Sequence, residues 1–362
     1  MNFDLTDEQE LYKATAEKFF STLSISEKVS MRMSSKGYDS GRWEKLAELG
    51  MIMLAASEDN GGLGGSLTDL AAIAEAAGTQ NAADPWLENG VLPARVLDKA
   101  GAQPLLTELL SGTKITALAF SEANSRYNLE RIDTSAKKTS SGFELSGTKQ
   151  FVLGGDIADH FLVTAMIDDT FDVFLVPADA VGVHSTPYRV VDGSKAVEAL
   201  FTNVALPSEA RLNLSFEAFK TIVSEISLLA CAEMMGLSQL LLDDTVEYVK
   251  QRKQFGVSIG SFQVIQHGLV DCYAELEQIR SMFLRTLLDP AEHKAERLRN
   301  ISGAKAFISE RADFIGRNAV QYFGAMGITE DVPIGSALKR IMLLSRLFGD
   351  PSHCLDEYSK VA

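Results

Sequence analysis

Over the first third of the chain, apolar side chains recur at roughly helical spacing. Leu11, Ala14, Phe19 and Phe20 follow a Thr6–Asp7 pair suited to capping a helix, and Trp43, Leu46, Ala47 and Leu49 follow Ser40 and stop at Gly50. The glycine-rich stretch Asn60-Gly61-Gly62-Leu63-Gly64-Gly65-Ser66 then leads into an Ala/Leu helix over residues 68–77. Near Ile115 the period changes. Short β-branched or aromatic runs at 115–120, 142–145, 149–153, 159–167, 170–176 and 199–206, separated by Gly, Pro, Asp and Asn, predict a small β-barrel or sandwich closed by Pro207. From Leu214 the period returns to that of a helix through Phe216, Phe219, Ile222, Val223 and Ile226. It runs on into a nearly continuous apolar stretch at 228–242, the pattern of a helix buried on several sides. Three more helices, at 261–288, 293–323 and 334–348, complete a bundle, with Ser261 as the expected N-cap of the second. The pattern gives an α+β chain: an N-terminal helical domain (1–113), a middle β-domain (114–212) and a C-terminal four-helix bundle (213–362). The bundle carries more apolar surface than one protomer hides, which predicts an oligomer.

Composition narrows the classes. Of 362 residues, 46% are hydrophobic and 23% charged, as in a globular protein. The 34 basic and 49 acidic residues leave a net charge of −15, which argues against a nucleic-acid partner. A phosphate-bearing ligand must therefore be held by local groups. The stretch from Met1 to Glu8 is acidic with no signal-like apolar core, and no uninterrupted apolar run reaches membrane-spanning length, so no span is expected. Cys231, Cys272 and Cys354 lie far apart with no CxxC pairing, which fits a reducing cytoplasm.

The candidate chemistry centres on Tyr248-Val249-Lys250-Gln251-Arg252-Lys253-Gln254-Phe255-Gly256, between two apolar helices. A guanidinium beside a helix start suits an anion, because its planar fork stays charged and binds two oxygens. An ordinary helix–loop–helix with a solvated basic loop is the competing reading. The glycine-rich loop at 60–66 can also approach a phosphate, but no strand or GxxxxGK[ST] pattern accompanies it, so a structural turn is the simpler reading.

Taken in order, several motifs resemble the acyl-CoA dehydrogenase family over nearly the whole chain. They are Asp4-Leu5-Thr6-Asp7-Glu8-Gln9, Trp43-Glu44-Lys45-Leu46-Ala47-Glu48-Leu49-Gly50, Gly61-Gly62-Leu63-Gly64-Gly65, Phe120-Ser121-Glu122 and Leu145-Ser146-Gly147-Thr148-Lys149. The bundle adds Arg252-Lys253-Gln254-Phe255-Gly256, Phe262-Gln263 and the run from Gln321 to Thr329. The resemblance implies a helical domain, a middle β-barrel and a four-helix bundle. It also implies FAD-dependent α,β-dehydrogenation of an acyl-CoA thioester: a carboxylate removes the α-proton, the β-hydrogen leaves as hydride to the flavin, and electrons pass to an electron-transfer flavoprotein. The assembly it implies is a homo- or heterotetramer.

Carried over residue by residue, the resemblance puts Arg252, Gln254, Phe255 and Gln263 on the FAD pyrophosphate and adenine side, from a neighbouring subunit. Gln321 and Gly324 match a turn over the adenosine end. Ser121 takes the position of a hydroxyl on the flavin ring edge, and Phe151 that of a tryptophan against the ring. Departures are Leu153 in place of a threonine, Tyr127 (substrate-lining) in place of a serine and Ala325 in place of a glycine. The family's glutamate base falls on Asp331, with Glu330 as the alternate. A carboxylate in a water-poor cleft makes a better base, yet acidic residues before Val332-Pro333 also suit a helix start, and both readings stand. Aspartate is one methylene shorter than glutamate, and about 1 Å of misplacement costs about a hundredfold in rate. A second alignment of the base falls on Ile226, which cannot serve, beside Glu225. A short chain with Leu153-Gly154-Gly155 after the second β-domain motif and with Phe348-Gly349-Asp350 resembles small subunits of heteromeric members, of the pimeloyl-CoA or steroid side-chain type. The alternative function is therefore a non-catalytic partner completing FAD sites on a homologous subunit.

Overall fold

The computed structural model describes residues 4–289 and 293–360, so the first three residues of the acidic N-terminal stretch lie outside the described residues. In chain order the helices α1 (Asp7–Phe20), α2 (Ile25–Met33), α3 (Ser40–Glu48), α4 (Leu67–Thr79), α5 (Leu92–Ala100) and α6 (Gln103–Leu110) come first, with a π-helical turn Trp86–Val91 before α5. Strands β1 (Thr116–Ala119), β2 (Ser135–Thr139), β3 (Gly142–Leu153), β4 (His160–Ile167), β5 (Thr170–Pro177), β6 (Val183–Arg189) and β7 (Lys195–Pro207) follow. The chain continues through α7 (Phe216–Gln251), β8 (Lys253–Gln254), β9 (Val257–Ser258), α8 (Gln263–Leu287), α9 (Lys294–Phe323), α10 (Pro333–Leu344) and α11 (Pro351–Ser359). Thr6 caps α1 in a reciprocal capping box with Gln9, as its sequence predicts. Two expected caps move by one residue. Asp39, in extended conformation, accepts from the Arg42 amide and caps α3, making Ser40 the first helical residue. Ser261 ends a 3₁₀ turn with its hydroxyl on the Ser258 carbonyl, so Phe262 is the N-cap of α8 and offers no side-chain bond.

The chain divides into two compact units. One gathers residues 32–66 and 84–226 around the sheet. Its strand order is β1-β4-β2-β3-β7-β6, with β5 on the other side of β4. The expected barrel takes the form of a curled, mixed half-barrel: β1 runs parallel to β4, while β2–β3, β3–β7, β4–β5 and β6–β7 are antiparallel. Its inner face is a continuous apolar core that includes Phe143, Leu145, Val152, Phe161, Val163, Phe174, Val197 and Phe201. The runs read from sequence at 142–145 and 149–153 are one strand, β3, with register shifts at Leu145/Gly147 and Lys149/Val152.

The glycine-rich stretch is a structural turn, as its simpler reading predicts. A Cβ at Gly62 would lie 2.2 Å from the Ala56 carbonyl oxygen and one at Gly65 2.7 Å from that of Leu54. Asn60 and Ser57 bind the Asp98 carboxylate at 2.9 and 2.6 Å, tying the turn to α5.

The other unit gathers the residues up to Met31, Leu67–Ala83 and those from Ser227 onward. Here α4 and α7 cross through a pair of glycines: a Cβ on Gly78 would lie 2.1 Å from the Glu233 carbonyl oxygen, and one on Gly236 2.2 Å from that of Glu75. The buried guanidinium of Arg340 (α10) forks onto the Glu233 carboxylate at 2.6 and 3.1 Å, the geometry that makes burial of such a pair tolerable. Lys305 (α9) is fully buried, bonded to the Leu344 carbonyl at the C-terminal end of α10 and to Ser309. The 36-residue α7 is long and apolar enough by composition to span a membrane, but 83% of its most apolar window is buried within the chain, as expected of a helix buried on several sides. It is a core helix. Burial also pushes the Cys231 thiol up to about 12 and those of Cys272 and Cys354 up to about 11, so all three are inert apolar filler.

Candidate functional site

The sequence-predicted residues fall into two groups, each within one unit. Arg252, Gln254, Phe255, Gln263, Gln321 and Gly324 belong to the helical unit, where ring contacts gather the segments that carry them. Tyr248, near the end of α7, stacks on Phe323, the last residue of α9, at 4.1 Å and 13° between planes. The Tyr322 hydroxyl lies over α8 so closely that a Cβ on Gly268 would sit 1.8 Å from it. These contacts draw together the end of α7, the start of α8 and the end of α9. The β8–β9 hairpin projects from this junction through a turn whose two central residues, Phe255 and Gly256, have φ of 52° and 81°. Both values suit the twist of a two-residue hairpin, but a phenylalanine in left-handed conformation is strained. Phe255 is 93% exposed and touches Phe262 edge-on at 6.3 Å, so packing in the chain does not explain it.

Arg252 follows the last turn of α7, its amide donating to the Tyr248 carbonyl at 2.8 Å; its exposed guanidinium has no ion-pair partner among the described residues. The Gln254 side-chain amide donates to the neighbouring Lys253 carbonyl. Gln263 and Gln321 are exposed. Gly324 ends α9 at φ 62° and ψ −139°, a backbone favouring glycine, with open space where a Cβ would be. The group thus sets a guanidinium and exposed side-chain amides beside an exposed aromatic ring.

Glu330 and Asp331 lie beyond a 3₁₀ turn (Gly324–Ile328), just before Val332, the N-cap of α10. Both are exposed, and neither caps the helix through its side chain. The water-poor cleft expected around a base is therefore not supplied by their immediate surroundings. Glu225 is committed elsewhere: it accepts from Arg95 at 2.8 Å.

The second group lies in the sheet unit. Ser121 is half-buried just past β1, and its carbonyl accepts the Gln150 amide at 2.8 Å, joining it to β3. Phe151 sits in the β-bulge at Lys149/Val152 with φ 57°, another strained non-glycine residue. Leu153 and Tyr127 are half-buried on β3 and on the 120–134 connection.

Beneath this group is an ion pair whose two residues fall in the quoted motifs, Glu122 and Lys149, but to which the motifs give no role. Lys149, fully buried, donates to the Glu122 carboxylate at 2.6 Å and to the Thr164 hydroxyl at 2.9 Å. Glu122 also accepts from the Asp133 amide at 2.7 Å, the Thr134 amide at 3.1 Å and the Thr134 hydroxyl at 2.7 Å. Burial works against the ionised Glu122, but the Lys149 charge and these bonds hold its carboxyl below the usual range. Burial drives the Lys149 ammonium down to about 8 against the pull of that carboxylate, so the pair is ionised at neutral pH. The available signal is alternation: Lys149 shares the inward face of β3 with Phe143 and Leu145.

Models of the acyl-CoA dehydrogenase N-terminal, middle and C-terminal domains match residues 6–107, 117–204 and 217–351 in that order. Mitochondrial isovaleryl-CoA dehydrogenase of Oryza sativa subsp. japonica is 29% identical over 92% of this chain and 86% of its own. Butyryl-CoA dehydrogenase from Megasphaera elsdenii superposes with a TM-score of 0.89 at 25% identity, over 100% of this chain and 99% of that one. A chain of the ChsE4-ChsE5 complex from Mycobacterium tuberculosis has the same fold, with a TM-score of 0.89 at 24% identity over 99% and 98% of the two chains. With its three matched domains in family order, the chain belongs to the acyl-CoA dehydrogenase family.

Proposed function

We propose that this chain is an FAD-dependent oxidoreductase that introduces an α,β double bond into an acyl-CoA thioester and passes the electrons to an electron-transfer flavoprotein. The observation that carries the reading is the β8–β9 hairpin, where Arg252 at its base has no ion-pair partner among the described residues and a strained Phe255 at its turn is 93% exposed. The residues fit the cofactor: an unpaired guanidinium suits a diphosphate, Gly324 leaves room for close approach, and the half-buried Ser121 hydroxyl bonds to no described side chain. Arg252, Gln254, Phe255 and Gln263 of a neighbouring subunit would hold the pyrophosphate and adenine side, Gln321 and Gly324 the adenosine end, and Ser121, Phe151 and Leu153 the ring, with Tyr127 against the substrate. When bound, FAD supplies the acceptor for the hydride that leaves the β-carbon. Asp331 takes the α-proton, and Glu330 is the alternate base. Burial in an oligomer would raise the basicity of an aspartate that is exposed in the single chain. A cytoplasmic homo- or heterotetramer is part of this reading.

The test is anaerobic. Mixed with FAD and acyl-CoA thioesters of straight, branched, dicarboxylic and steroid side-chain type, the chain is expected to bleach the flavin with at least one. Asp331→Asn is expected to slow bleaching by about 10²–10⁴-fold, the usual worth of a positioned base. Exposure of both carboxylates favours a second reading, a partner subunit completing FAD sites on a homologous chain. In that case activity appears only on co-expression, and Asp331→Asn leaves the rate of the complex unchanged.

A further inference from the structure

Two of the proposed flavin-facing residues, Ser121 and Phe151, sit at irregular points of the backbone. Ser121 begins a connection that runs from β1 to β2, and Phe151 lies in a bulge with its backbone left-handed. Such positions persist only where the surroundings over-determine them. Beside them is Glu122, one residue from Ser121 at the start of the connection, whose carboxylate accepts from the Asp133 and Thr134 amides at its far end and so ties the two ends together. The same carboxylate holds Lys149, two residues before Phe151, whose ammonium reaches on to Thr164 of β4. The Gln150 amide closes the figure on the Ser121 carbonyl. Four segments therefore meet at one ion pair, and two of them carry Ser121 and Phe151.

A purely structural ion pair would be an expensive choice at this point, since apolar residues of the same volume often stabilise a core as well or better. A paired charge is, however, strongly directional. It sets where each strand end lies in a way that apolar packing does not. We infer that Glu122 and Lys149 are positioning residues, which fix Ser121 and the strained Phe151 in the arrangement that receives the flavin ring. This rests on the proposed FAD reading and deepens it.

The experiment uses the full chain and FAD itself. Wild-type apoprotein, Lys149→Met, Glu122→Gln and the milder Thr164→Val and Thr134→Val are titrated with FAD, following flavin fluorescence and the absorption spectrum; circular dichroism identifies the folded variants. Wild type is expected to bind FAD. Folded Lys149→Met and Glu122→Gln are expected to bind about tenfold or more weakly, with a shifted flavin absorption band, because a loosened site must be ordered again on binding. The threonine variants, which keep the ion pair, are expected to lose about two- to fivefold, and they carry the comparison if the charge variants do not fold. Adding Lys149→Met to Ser121→Ala is expected to cost less than adding it to wild type, because the pair acts through Ser121. Folded variants with wild-type FAD affinity and an unshifted spectrum, or full additivity with Ser121→Ala, would overturn the inference alone. A wild-type chain that takes up no FAD, alone or co-expressed with a homologous subunit, would overturn the functional reading and the inference with it.

Discussion

Phe151 and Phe255, two of the eight non-glycine residues with positive φ among those described, mark places where this chain gives up stability. At Phe255 the cause is local: a two-residue hairpin turn demands positive φ at its first central position, which asparagine tolerates and phenylalanine does not. Phe255→Asn is therefore expected to stabilise the isolated chain by about 1 kcal/mol in urea denaturation, while weakening FAD binding in a titration. Unchanged FAD affinity would remove Phe255 from the site. Lys149 makes a second prediction at this scale. Its folded-state value of about 8 lies below the 10.5 of an unperturbed lysine, so between these values the unfolded chain holds a proton that the folded chain lacks. Stability contributed by this group rises with pH through that window. The stability of wild type relative to Lys149→Met, compared by denaturation from neutral pH to pH 10.5, should shift towards wild type as pH rises. A flat difference would mean that Lys149 is not held as the geometry shows.

Among the elements, the crossing of α4 and α7 is the least forgiving. Both glycines meet backbone oxygens, which cannot rotate away as a side chain would. Gly78→Ala and Gly236→Ala are each expected to cost about 1–3 kcal/mol or more by overpacking, read as a lower denaturation midpoint. A cost within about 0.5 kcal/mol, ordinary for surface changes, would show that the helices do not cross as described. The long elements were legible in the chain because burial imposes their period: α7, α8, α9 and the apolar strands β4 and β5 lie close to their expected bounds. Strand β2 was not, because Ser135-Ala136-Lys137-Lys138-Thr139 buries only Ala136 and so carries no alternation. Strand β6 was missed for a related reason: it is an edge strand, mostly exposed, with Pro187 inside it. The displaced caps at Asp39 and Phe262 show a finer limit. Side-chain type nominates a cap, but backbone conformation over one or two residues selects it.

At the scale of the molecule, the order of helices, sheet and bundle was legible from period alone, and the family from motifs in sequence order. The candidate site was legible only in part. Arg252 and Gly324 carry signals of type, a fixed charge and a glycine, whereas the Glu122–Lys149 pair depends on a contact across 27 positions that no local pattern encodes. The net charge of −15 adds a consequence for binding. The field of the whole chain opposes an anionic nucleotide, so Arg252→Gln is expected to weaken FAD binding by about tenfold or more. The deficit should be larger at low ionic strength, where charges are less screened; a deficit insensitive to salt would argue against a phosphate contact. The central claim is most directly tested by adding acyl-CoA thioesters to the FAD-loaded wild-type protein without oxygen and watching the flavin absorption. The account predicts bleaching with at least one thioester and its loss in Asp331→Asn; a stable flavin spectrum with every thioester, with or without a co-expressed homologous subunit, would contradict it.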